Sequence, residues 1–139
     1  MADVLELARQ HDEAFNAQNA DARARLESPG IEVVMPGGMQ LHGHEEVMQV
    51  VRAFWEALPN GKIVPDNQIA AGETVVAEGL LMGTHSGPFR TPAGEVPPSG
   101  NEVALRFATV KRFEGDKLVS EHLYFDQLEF MQQIGAMSR

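Results

Sequence analysis

The chain has 139 residues, 43% of them hydrophobic, a size that suits one domain built on one core and is short for two. Its 20 acidic and 11 basic residues give a formal net charge of -9, which repels a phosphate backbone and argues against nucleic acid as a partner. Cysteine is absent, which removes disulfides and thiolate sites, and no apolar run approaches the ~18 residues of a membrane span.

Met1-Ala2-Asp3-Val4 has no basic region leading into an apolar core, so no secretory signal is expected and the cytoplasm is the expected compartment. Asp3 is a plausible N-cap for a first helix, along which Val4, Leu7, Ala8, His11, Phe15 and Gln18 recur at helical spacing. Asn19-Ala20-Asp21 offers a second cap, for a short helix from Ala22 to Glu27 that Ser28-Pro29-Gly30 stops. Ile31 to Met35 is β-branched and apolar, and Pro36-Gly37-Gly38 turns it into Met39 to Leu41. Gly43 precedes a third helix whose apolar stripe is Val47, Val50, Val51, Phe54 and Leu58, ended by Pro59-Asn60-Gly61.

Strand texture follows: Ile63 to Ala70, Thr74 to Thr84, Val103 to Phe113 and Leu118 to Phe125. Ala71-Gly72-Glu73 and Glu114-Gly115-Asp116 are hairpin turns, and the interior glycines Gly79 and Gly83 suggest that the sheet bends. Between the middle strands, Ser86 to Gly100 holds four prolines and reads either as a lid over a pocket or as a variable surface loop. Gln127 to Gly135 closes the chain as a helical turn. Helices followed by long antiparallel strands define one α+β domain over residues 1–139, a curved antiparallel sheet with about three covering helices around a hollow.

Gly83-Thr84-His85-Ser86-Gly87, Pro97-Pro98-Ser99-Gly100, the turn before Lys117-Leu118-Val119, and Asp126-Gln127 through Gln133-Ile134-Gly135 resemble the SnoaL-like polyketide cyclases of the nuclear transport factor 2-like superfamily. Ala14-Phe15-Asn16-Ala17 and Leu41-His42-Gly43 extend the resemblance over nearly the whole length. It implies a cone-shaped α+β barrel, often a homodimer, with an internal site, no metal and no organic cofactor. It also implies acid/base chemistry beside a carbonyl, because a carboxylate shielded from water becomes a stronger base. The family's acid/base aspartate falls on Leu123 and its active-site histidine on Thr109, neither of which can take up a proton.

Replacements follow from strand alternation, since side chains two apart share a face. If Thr109 and Leu123 point inward, so do Leu105, Phe107, Val119, Glu121 and Phe125, which makes Glu121 a carboxylate among apolar neighbours or an ion-paired group near the sheet edge. His85 has the inward parity of Leu81 and Gly83 and either meets a ligand or caps the following loop. Asp126 points into the cone or caps the closing helix. The candidate catalytic set is His85, Glu121 and Asp126. The candidate pocket lining is Phe15, Met35, Phe54, Trp55, Phe107, Thr109 and Leu123, with plain core packing as the other reading of the helical stripes. His122 and Tyr124 face the other way and are assigned to a dimer interface. No metal site is expected: His44-Glu45 is followed by Met48 where a zinc helix needs histidine. The expected partner is a small apolar or carbonyl-bearing molecule, held by an enzyme or by a binding module of the same fold.

Overall fold

The structure is a computed structural model that describes residues 3–137, leaving Met1 and Ala2, which bear on the question of export, outside the described residues. Helix α1 spans Val4–Asn16, begun by the Asp3 carboxylate accepting from the Leu5 and Glu6 amides, and buries Ala8, His11, Ala14 and Phe15. Helix α2 spans Ala20–Leu26 with Asn19 as its cap. Strands β1 (Glu27–Met35) and β2 (Met39–His42) are joined by one 3-10 turn at Pro36–Gly38, after which Gly43, at φ +88°, swings the chain into helix α3 (His44–Ala57). Strands β3 (Lys62–Ala71) and β4 (Thr74–Thr84) form one long hairpin, and β7 (Glu102–Glu114) and β8 (Lys117–Phe125) another. Helix α4 is Gln127–Gln133. Among the described residues, no helix is long and apolar enough to cross a membrane.

The six-stranded sheet runs β2-β1-β8-β7-β4-β3. Four of its five pairings are antiparallel as expected, but β1 lies parallel to β8. That pairing also changes the reading of Ser28-Pro29-Gly30. The segment belongs to β1, where a register shift between Glu27 and Glu32 absorbs the proline and lets the chain pass from helix to strand without a separate loop.

Gly79 shows why the sheet curves. A Cβ there would lie 2.3 Å from the Val64 carbonyl oxygen, so β3 presses onto β4 at the point where its register slips between Pro65 and Asn67. Along β7, burial alternates from Val103 through Leu105, Phe107, Thr109 and Lys111 to Phe113, with exposed or half-buried residues between. This inner face, with those of β1, β4 and β8, meets α1 and α3 around the hollow.

The Ser86 to Gly100 segment is not structureless. It carries a small hairpin, β5 (Phe89–Thr91) and β6 (Gly94–Val96), and docks on the end of α3. The Gly87 amide donates to the Ala57 carbonyl, Arg90 bridges Glu56 and Glu95, and Phe89 packs 5.4 Å from Phe54 and 5.3 Å from Phe130.

Candidate functional site

Inside the curve lies a cavity of about 110 Å³. Three opposed pairs of the β7–β8 ladder face it: Phe107 with Phe125, Thr109 with Leu123, and Lys111 with Glu121. Phe15 of α1, Phe54 of α3 and Met35 of β1 close its apolar side. Of the residues singled out from sequence, Glu121, Phe15, Met35, Phe54, Phe107, Thr109 and Leu123 therefore come together.

The expected catalytic trio does not converge, because only Glu121 borders the cavity. His85 is fully buried elsewhere, with Nδ1 accepting the Ser99 amide at 3.2 Å and lying 2.8 Å from the Ser99 hydroxyl. Burial pushes its imidazole below the usual histidine range, against an opposing pull from the Ile134 carbonyl. Its backbone pairs with Gly100 and Asn101, so the loop-capping reading describes where it sits. Asp126 is exposed and caps α4, accepting from the Glu129 amide at 3.1 Å. Trp55 stands behind the wall, its indole N–H donating to the Phe15 carbonyl at 3.0 Å.

A polar group that sequence reasoning passed over occupies one end of the cavity. Glu27 is completely buried, and its Oε2 accepts from His11 Nε2 and from Arg23, each at 2.7 Å. Its Oε1 accepts from His44 Nδ1 at 2.8 Å. Burial alone would raise this carboxyl, yet the bond from His11 and the charge of Arg23 outweigh it and hold the group at about 2. For His11, burial is the largest influence, and the nearby charges of Lys111 and Arg23 add to it, bringing the imidazole down to about 4. The ring is neutral near pH 7, with its proton on Nε2 toward Glu27 and its Nδ1 accepting from Lys111 at 3.0 Å. Lys111 Nζ also donates to Asp12 Oδ1 at 2.9 Å.

Two signals for this group were present in the sequence. His11 stands within the apolar stripe of the first helix, and Lys111 has the inward parity of Leu105, Phe107 and Thr109. Arg23 and Glu27, four residues apart at the end of α2, are neighbours by helix geometry, and the start of β1 carries the pair into the interior. His42 and His44 turn to different partners, His42 lying 3.5 Å from exposed Glu32 and His44 reaching Glu27. Among the described residues, no three histidine or acidic side chains are arranged to hold a metal ion.

The curved six-stranded sheet with its covering helices is the nuclear transport factor 2-like fold, and solved structures of that class superpose on it. Residues 5–134 match the SnoaL-like polyketide cyclase family, and the chain belongs to that family. A candidate SnoaL-like polyketide cyclase from Jannaschia sp. CCS1 is similar at 23% identity and TM-score 0.85, covering 96% of this chain and 92% of that one. A nuclear transport factor 2-like protein of unknown function from Burkholderia pseudomallei K96243 has 25% identity and TM-score 0.79, with 97% and 99% covered. IdmH, a candidate polyketide cyclase from Streptomyces antibioticus, has 19% identity and TM-score 0.82, with 96% and 99% covered. No curated protein matches the chain.

Proposed function

We propose that the protein binds a small carbonyl-bearing organic molecule in this cavity and moves a proton at the carbon beside the carbonyl. Glu121 is the proton acceptor, and the Lys111 ammonium opposite it offsets the negative charge that develops on oxygen. The observation that carries this reading is the pairing of a carboxylate and an ammonium at directly opposed ladder positions in an otherwise phenylalanine-rich cavity. Glu27 is unsuited to the task, because it is spent on three donors and held at about 2.

The test is deuterium uptake beside the carbonyl of cyclohexanone in heavy water, followed by NMR. The protein is expected to accelerate uptake, and Glu121→Gln to slow it by ~10²- to 10⁴-fold. Uptake that the substitution leaves unchanged ends this reading.

A second reading is binding without catalysis, favoured by one observation. At the two positions where the resemblance puts the cyclases' acid/base pair, this chain sets Thr109 against Leu123. Under that reading Glu121→Gln leaves ligand affinity intact and no substrate turns over.

We also propose a homodimer formed through the outer face of the sheet. Val76, Val110 and His122 form one row across β4, β7 and β8, with exposed Met82 and Tyr124 nearby on the same face.

A further inference from the structure

Resting on the carbonyl reading above, the polar end of the cavity holds more hydrogen-bond donors than the protein itself uses. A lysine ammonium has three N–H groups, and Asp12 and His11 take two of those on Lys111. Arg23 borders the same cavity and gives Nη2 to Glu27, while its Nε is buried without a partner among the described residues. A buried donor left unpaired is destabilising, so an acceptor oxygen arriving here is favoured. His11 cannot supply that acceptor, because its one lone pair already receives Lys111.

Apart from Thr109 and Glu121, the rest of the wall is hydrocarbon, chiefly Phe15, Phe54, Phe107, Phe125 and Leu105. The hollow measures about 110 Å³. A dry engineered cavity of ~150 Å³ holds one benzene ring, so the enclosed part of this smaller hollow takes at most about one six-membered ring.

We infer that the ligand is a compact ketone of one ring or an equivalent open chain, its oxygen docked on Lys111 and Arg23 and its hydrocarbon against the phenylalanines, and that fused-ring ketones are excluded. Because Lys111 is anchored by Asp12 and by a neutral imidazole, its ammonium keeps one orientation and selects for an oxygen at one end of the ligand.

The test is ligand-observed NMR titration of the full chain with three probes: cyclohexanone, methylenecyclohexane, which replaces the oxygen by a CH2 of similar shape, and 2-tetralone, which adds a fused ring. For the unsubstituted protein, 2-tetralone is expected to bind at least tenfold more weakly than cyclohexanone. Lys111→Met is expected to weaken cyclohexanone at least tenfold and to leave methylenecyclohexane within about twofold. The double variant Lys111→Met with Asp12→Asn removes the carboxylate that the single variant strands, and is expected to show the same contrast. Equal or tighter binding of 2-tetralone overturns the size limit, and unchanged cyclohexanone affinity in both variants overturns the oxygen site. If the binding pattern holds while deuterium uptake fails, the acid/base reading falls and this inference stands. If uptake proceeds equally from 2-tetralone, the reverse is true.

Discussion

Lys111 of β7 and Glu121 of β8 sit directly opposite one another and border the same cavity, although β7 otherwise points apolar residues and Thr109 into the interior. Burying an ammonium is costly unless partners compensate it. Here Asp12, neutral His11 and the Glu27 network behind it form that compensation.

That network should be a major determinant of stability. Glu27→Ala strands Arg23 in the interior, and breaking a buried pair in this way costs ~3–5 kcal/mol. Urea unfolding followed by circular dichroism measures the loss. A change below ~1 kcal/mol would mean that Glu27 is not buried as described.

Acid should weaken the fold in two stages. His11 is held at about 4 in the folded chain, below its ordinary 6.5, so the unfolded chain binds the proton first and stability falls as the pH drops from 6.5 toward 4. Glu27 is held at about 2 rather than 4.5, so its contribution is present above 4.5 and lost as the pH falls toward 2. His11→Gln should flatten the upper stage. Equal slopes for variant and parent between pH 6.5 and 4 would contradict a neutral His11.

Much of the fold was legible in the sequence because its signals are local. The stripe of α3 and the turns at Gly72 and Gly115 each depend on residues close in the chain, and the bend at Gly79 was marked by a glycine inside a strand. The β1–β8 pairing was not legible, since nothing near Ser28-Pro29-Gly30 says which distant strand will receive it. The family resemblance set Thr109 and Leu123 inward, alternation then placed Glu121 beside them at the cavity, and the helical stripes offered Phe15 and Phe54 either to the cavity or to plain core. The same rule pointed at Lys111, but its partners lie on α1, and only the tertiary fold brings them within 3.0 Å. His85 and Asp126 have local duties, holding Ser99 and capping α4, which sequence parity alone does not separate from a place at the cavity.

Asp126 should accordingly matter for stability and not for chemistry. Asp126→Ala removes the N-cap of α4, at a cost of about 1 kcal/mol. Deuterium uptake from cyclohexanone should match that of the parent, and a drop of tenfold or more would return Asp126 to the site.

The docking of the 86–100 segment depends on Gly87, where a Cβ would lie 1.9 Å from the Glu56 carbonyl oxygen. Gly87→Ala must push the segment off α3, a change expected to cost ~1–3 kcal/mol. Hydrogen exchange should quicken in residues 86–100 while β7 stays protected. Unaltered exchange in that segment would show that the close approach does not exist.

Sedimentation velocity addresses the outer face. The parent is expected to run as a dimer, and the pair Val76→Glu with Tyr124→Glu as a folded monomer, since both side chains are about half exposed on the isolated chain. A monomeric parent would remove the interface.

The parallel junction of residues 27–34 with residues 118–122 has a consequence for biosynthesis. A nascent chain that has emerged only through β7 can pair β3 with β4 and β4 with β7 but cannot seat β1 on the sheet, and the wall bearing Glu121 is still missing. Its phenylalanines stay wet until the last strand leaves the ribosome, a delay that ordering by distant contacts always imposes. Chains cut short before β8 should therefore be captured by chaperones or proteases, with no partially active fragment to salvage.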